Sequence, residues 1–168
     1  MRNWKRKTVC PATNGTDRIH HAGLSADGTK LFVAGTDDEL YYVWDIETEH
    51  TLWLEDGEQD FPEHPELRDW VDENGCIVIE QPSAKGTYTI FGLRHNYPIL
   101  RDQHTGLYLE LDTQHHVLRI LNGTNDALVN ELAYEAFSGD WAFCSFSANG
   151  HVIAVVEPYD VTIFCPEE

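Results

Sequence analysis

Leu24 to Asp45, LSADGTKLFVAGTDDELYYVWD, decides how the chain is read, because it is one β-hairpin with its turns written into it. Ala26-Asp27-Gly28-Thr29 is a turn: the Asp side chain caps its own backbone, and Gly takes a positive φ at little steric cost. Leu31 to Ala34 then reads as a strand, Thr36-Asp37-Asp38 as a polar turn, and Leu40 to Trp44 as a β-branched and aromatic strand. Upstream, Arg18 to Leu24 is the inner strand leading in. Downstream, Thr51-Leu52-Trp53-Leu54 fits the outermost strand.

The pattern returns along the chain. In Phe146 to Phe164, FSANGHVIAVVEPYDVTIF, Ser147 stands for Ser25, Asn149-Gly150 for Asp27-Gly28 and Phe164 for Trp44, with Asp140 to Phe146 as the inner strand. A weaker copy is ENGCIVIEQPSAKGTYTIF, Glu73 to Phe91, where Gly75 precedes Phe91 by the interval that separates Gly28 from Trp44. The weakest is HTGLYLELDTQHHVLRIL, His104 to Leu121, with Gly106 as the turn glycine and a hairpin around Asp112-Thr113-Gln114. The four turn glycines average about 41 residues apart, inside the roughly 40 to 45 expected of a propeller blade.

On these residues the chain resembles the WD-repeat β-propellers, with Trp44-Asp45 standing where that family's signature dipeptide sits. The other copies carry Phe91-Gly92, Leu121-Asn122 and Phe164-Cys165 at that place, and the early Gly-His pair of the family is absent. The expected fold is all-β: a propeller-like array of about four antiparallel blades in one domain spanning 1–168, with blades at roughly 17–54, 66–92, 97–132 and 138–165. A generic antiparallel sandwich or meander is the alternative. Four blades make a small ring, which either closes by itself or stays open and is completed by a second copy or a partner. The basic arm from Met1 to Thr16 is expected along the body or as a closing strand, with Trp4 or Val9 beside the end of the chain. Tyr97-Pro98-Ile99-Leu100 is expected as a short strand. Asp126 to Phe137 carries Leu128, Leu132 and Ala136 at helical spacing where the repeat requires a strand, and the strand is preferred.

The formal net charge is −18, from 29 Asp and Glu against 11 Lys and Arg. Such a surface argues against a nucleic-acid ligand, whose phosphates need a basic footprint, and suits a basic protein partner. Cys10, Cys76, Cys144 and Cys165 lack metal or redox spacing, and Cys76 and Cys144 are expected as buried thiols. The basic start is followed by no apolar signal core, and no stretch is long enough to span a membrane, so the expected compartment is the cytosol. Asn14-Gly15-Thr16 and Asn122-Gly123-Thr124 are then plain turns.

Candidate chemistry is sparse. Among nine histidines, His20-His21 and His115-His116 are adjacent pairs assigned to strands, where neighbours point to opposite faces and cannot share an ion. No metal and no cofactor is expected. Ser25 and Ser147 belong to turns, and neither a nucleophile elbow nor a phosphate-binding glycine loop is present. The longest loop, Glu55 to Asp72, is acidic, and it sets Phe61 and Trp70 among Glu63, Glu66 and Asp69; these five are the candidate partner-binding residues.

The resemblance implies a rigid, non-catalytic scaffold or adaptor that holds other proteins together. Two alternatives remain: a self-assembling subunit that completes a ring as an oligomer, and a hydrolase in whose central channel His20 or His116 meets carboxylates.

Overall fold

The computed structural model describes residues 3–11, 18–35, 40–56, 71–93 and 95–167. Among them the regular structure is all strand: β1 (Trp4–Pro11), β2 (Ile19–Ser25), β3 (Lys30–Gly35), β4 (Leu40–Asp45), β5 (His50–Asp56), β6 (Cys76–Ile79), β7 (Gly86–Gly92), β8 (Leu107–Asp112), β9 (Val117–Asn122), β10 (Leu128–Ala133), β11 (Phe143–Phe146), β12 (Ile153–Val156) and β13 (Asp160–Pro166). The ambiguous stretch around Leu128 is therefore a strand. Its helical spacing loses to pairing, since β10 meets β9 from Leu128 opposite Leu121 to Ala133 opposite Val117.

The strands form three antiparallel sheets, ordered β1-β13-β12-β11, β10-β9-β8 and β5-β4-β3-β2-β7-β6. The first strand completes the last sheet: β1 pairs with β13, Trp4 opposite Pro166 and Val9 opposite Thr162. The six-stranded sheet unites the strands of the first and second sequence copies, because β7 pairs with β2 from Ser25 opposite Tyr88 to His21 opposite Gly92.

Period-two alternation sends apolar side chains to both faces of each central strand. The four-stranded sheet is the middle layer. Ala154, Val156, Val161 and Ile163 face Leu31, Val33, Tyr42 and Trp44, whereas Ile153, Val155 and Phe164 face Leu109, Leu118 and Ile120. A third cluster joins Phe32, Ala34, Tyr41 and Val43 of β3 and β4 to Ile77, Ile79, Tyr88 and Ile90 of β6 and β7. Gly23 permits it. A Cβ there would meet Ile90 Cδ1 at 2.7 Å, so side chains from β3 and β7 meet above bare β2 backbone, with the Phe32 and Tyr88 rings 6.2 Å apart. Fully burying each such side chain contributes about 1.5–3 kcal/mol.

The turns repeat in atomic detail. Gly28, Gly75, Gly106 and Gly150 have φ of 71°, 76°, 72° and 68°. Ser25 donates to Asp27 Oδ1 and accepts from the Lys30 N–H; Ser147 donates to Asn149 Oδ1 and accepts from the Val152 N–H. The two turns also touch, Asn149 Nδ2 donating to the Asp27 carbonyl at 2.7 Å.

Residues 97–100 are not a strand, contrary to the sequence expectation. Pro98 has no N–H to give a ladder, and the neighbouring backbone is shared among three strands. Tyr97 N–H reaches the Ile90 carbonyl, the Ile99 carbonyl accepts from Phe146 and the Leu100 carbonyl from Leu109, each at 2.9 Å. The segment is a strap that stitches the sheets together.

Candidate functional site

Three connections converge at one end of the molecule: the β8–β9 turn at 113–116, the β10–β11 loop at 134–142 and the β12–β13 turn at 157–159. Between them lies a small notch of about 10 Å³, room for one water, lined by Thr113, His116, Tyr134, Ala136, Trp141 and Glu157.

His116 closes its turn in the left-handed region, φ 56°, and its ring stands edge-on to Tyr134 at 6.0 Å. The Tyr134 N–H donates to the His116 carbonyl at 3.2 Å, which ties loop to turn. Trp141 leans on Phe143, ring centres 5.7 Å apart. Phe137, on the same loop, is 72% exposed, more than any other large apolar side chain among the described residues.

Glu157 opens the β12–β13 turn, its N–H donating to the Asp160 carbonyl at 3.0 Å. The turn is clamped from outside. Ile19 N–H donates to the Pro158 carbonyl at 2.7 Å, and the Arg18 guanidinium lies 5.8 Å from the Tyr159 ring centre while pairing with Asp140. Glu157 is 1% exposed; its carboxylate accepts from Tyr159 N–H at 3.0 Å and from Ser138 Oγ at 3.4 Å. Burial raises its pKa in spite of those donors. Asp160 follows. Burial first, then the nearby charges of Glu157 and Glu135, push it up to about 6, and its Oδ2 has no hydrogen-bond partner among the described residues. No lysine or arginine counters either shift.

The notch thus sets an imidazole and two aromatic side chains beside a buried carboxyl held by neutral donors. Burial pushes the thiols of Cys10 and Cys144 up to about 12, which keeps these two protonated.

Of the residues singled out from sequence, Phe61, Glu63, Glu66, Asp69 and Trp70 lie outside the described residues. His20 and His21 are adjacent in β2 as expected, His21 buried with its ring 5.4 Å from that of His95. His115 and His116 sit in a turn and not in a strand, because Asp112 captures the backbone: it accepts from the N–H groups of Gln114 and His115 and ends β8. His115 Nδ1 lies 2.8 Å from Asp112 Oδ2, and these bonds hold Asp112 at about 2. Among the described residues no three His, Cys, Asp or Glu side chains are grouped to hold a metal ion. All four cysteines are free; Cys144 is buried as expected, whereas Cys76 is only half-buried, on the outer face of edge strand β6. Sequence reading did not find Phe137, Trp141 or Glu157. Its available signals were an aromatic next to Ser138-Gly139 and the Pro158-Tyr159 turn between two apolar strands.

Compared with known proteins, the chain matches no family model and no curated protein. Among known structures it is similar to the crystal structure of RRP9 WD40 repeats, at 13% identity and a TM-score of 0.32, over 91% of this chain and 53% of that one. This chain thus spans about half the length of that one.

Proposed function

We propose that this chain is a non-catalytic protein-interaction platform of the cytosol, built from four propeller-like sheet modules at residues 17–54, 66–92, 97–132 and 138–165. One observation carries the reading: Phe137, 72% exposed, stands on the loop that walls a notch containing a buried acid. An ordered aromatic beside a pocket is the usual make-up of an interface anchor. The three apolar clusters support it, since each joins neighbouring modules and stiffens the body that presents the loop. The acidic segment with Phe61, Glu63, Glu66, Asp69 and Trp70 is a second contact surface in this proposal, and the net charge of −18 favours a basic partner.

The test is quantitative capture from the native host, followed by reconstitution with the purified partner. Phe137→Ser weakens the reconstituted complex roughly tenfold or more; an unchanged affinity removes this site from the platform. Neutralising Glu63, Glu66 and Asp69 weakens it in a salt-dependent way.

A second reading has its own observation. Val78 on edge strand β6 is 62% exposed and Leu128 on edge strand β10 is 56% exposed, and neither strand has an outer neighbour among the described residues. Unpaired edges template pairing with another copy. A strictly monomeric mass at high concentration would remove self-assembly.

A further inference from the structure

We propose that Asp160 is a proton-operated latch on the β10–β11 loop: with its carboxyl protonated the loop that presents Phe137 lies closed, and with the carboxylate formed the loop loosens. The inference rests on the platform reading and names the regulation of that same contact surface.

β13 sends Asp160 and Thr162 to one face, and the loop crosses that face, its Glu135 N–H donating to Thr162 Oγ1 at 3.2 Å. Ser138 then fastens the loop to the Glu157 carboxylate, through its hydroxyl at 3.4 Å and through its backbone N–H. Phe137 stands between these two ties. Three carboxyls, Glu135, Glu157 and Asp160, therefore meet where the loop is held, and their surroundings differ. Glu135 pairs with Arg6 of β1 at 2.6 Å, both side chains partly in water. Glu157 is buried, but it accepts from the N–H groups of Ser138, Tyr159 and Asp160. Asp160 is 6% exposed, and its Oδ2 has no hydrogen-bond partner among the described residues. A buried charge with nothing to solvate it is costly, so Asp160 is the member of the three that takes a proton. Cys10 of β1 and Tyr42 of β4 also lie near it, and burial holds both neutral. The groups that act on it include no lysine or arginine among the described residues. Burial, then Glu157 and Glu135, set its titration at about 6 in the closed form. Opening the loop admits water and returns the carboxyl to its ordinary range near 4. The closed form thus holds the proton more tightly. Its advantage is fully present below about pH 4 and is lost as pH rises through about 6, a change of roughly a hundredfold in the closing equilibrium.

The experiment follows the full chain by NMR. The Asp160 Cγ shift is titrated, and exchange of the Glu135 and Ser138 amide hydrogens is measured from about pH 5 to about pH 8, each rate divided by its unstructured-peptide rate. The carboxyl is expected to titrate near 6, and protection of both amides to fall roughly tenfold or more through that midpoint. At the higher pH both should remain less protected than the Val155 amide in β12, inside the middle sheet, because the loop opens without the sheets. Asp160→Asn is expected to keep the protection level across the range. A carboxyl midpoint near 4, protection that ignores pH, or loss only in step with Val155 overturns the proposal in the wild-type protein alone, whether or not Asp160→Asn folds. His116, edge-on to Tyr134, is the other titratable group against the loop; a pH-dependent loss that survives Asp160→Asn assigns the effect elsewhere and overturns the latch. The two readings fail separately. If Phe137→Ser abolishes partner capture but loop protection ignores pH, the platform stands and the latch falls. If protection follows Asp160 and Phe137→Ser leaves capture intact, the latch stands without the platform.

Discussion

Glu49, His116 and Asp126 have left-handed backbones although none is glycine, with φ of 60°, 56° and 55°. Each such residue crowds its Cβ against its own backbone at a cost of about 1–2 kcal/mol, part of which glycine would return as unfolded-chain entropy. Glu49 is exposed, and its N–H closes the β4–β5 turn onto the Asp45 carbonyl. Glu49→Gly is therefore expected to stabilise the fold by about 0.5–1 kcal/mol in urea unfolding. His116 has the same backbone in the notch wall, where strain is retained beside a packed ring. Asp160 makes a prediction of opposite character. Its folded pKa of about 6 lies above the unfolded carboxyl value, so the folded chain holds that proton more tightly. The associated stability is present in acid and is lost as pH rises through about 6. The groups around it are Glu157, Glu135, Cys10 and Tyr42, with no cation among them. Asp160→Asn should match wild type in melting temperature near pH 4 and exceed it near pH 8. Equal melting temperatures at the higher pH would mean that water or a counter-ion reaches the carboxylate.

At the level of turns and strands, position decides what a shared local structure costs. Gly106 and Gly150 have nearly the same φ, yet a Cβ at Gly106 meets nothing within 4 Å, whereas one at Gly150 would meet the Asp102 carboxylate at 2.5 Å. Gly106→Ala should lose only the backbone preference, about 1 kcal/mol. Gly150→Ala should lose several times that, because Asp102 is buried and already accepts from His104 and Thr105. Asn149 links two such turns. Asn149→Ala should cost about 1–2 kcal/mol; Asn149→Asp keeps the caps of its own turn but sets a carboxylate against the Asp27 carbonyl, and should cost more. Urea unfolding of the two variants measures the link. These turns were legible in the sequence because Ser, Asp or Asn, and Gly act within five residues of one another. The same local reading misplaced residues 97–100 and His115-His116, where a proline and a capping Asp112 override strand-forming neighbours. It also gave no sign that β7 would bond to β2, since that contact depends on Gly23 lacking a side chain over which Ile90 can settle.

For the molecule as a whole, the sheets stack as layers around β11–β13, and the notch draws on connections from 113–116, 134–142 and 157–159. No spacing in the sequence announces such a meeting. Glu157 looked like one carboxylate among 29 Asp and Glu until burial set it apart. The stack makes a global prediction. Removing residues 1–11 strips β1 from β13 and takes Trp4 from its edge-on contact with Phe146, 6.0 Å away. The truncated chain should unfold cooperatively at lower urea or aggregate through the uncovered β13 edge, which light scattering would report. A chain that keeps its full stability without β1 would show that the middle layer is finished by β11–β13 alone.

The pairing of β1 with β13 also sets an order of events in the cell. Translation delivers Trp4 long before its neighbour Pro166. The outermost strand of the central layer must wait, unpaired, while everything between the two emerges from the ribosome. Long-range closure of this kind slows folding and leaves the nascent chain reliant on whatever shields it until β13 arrives.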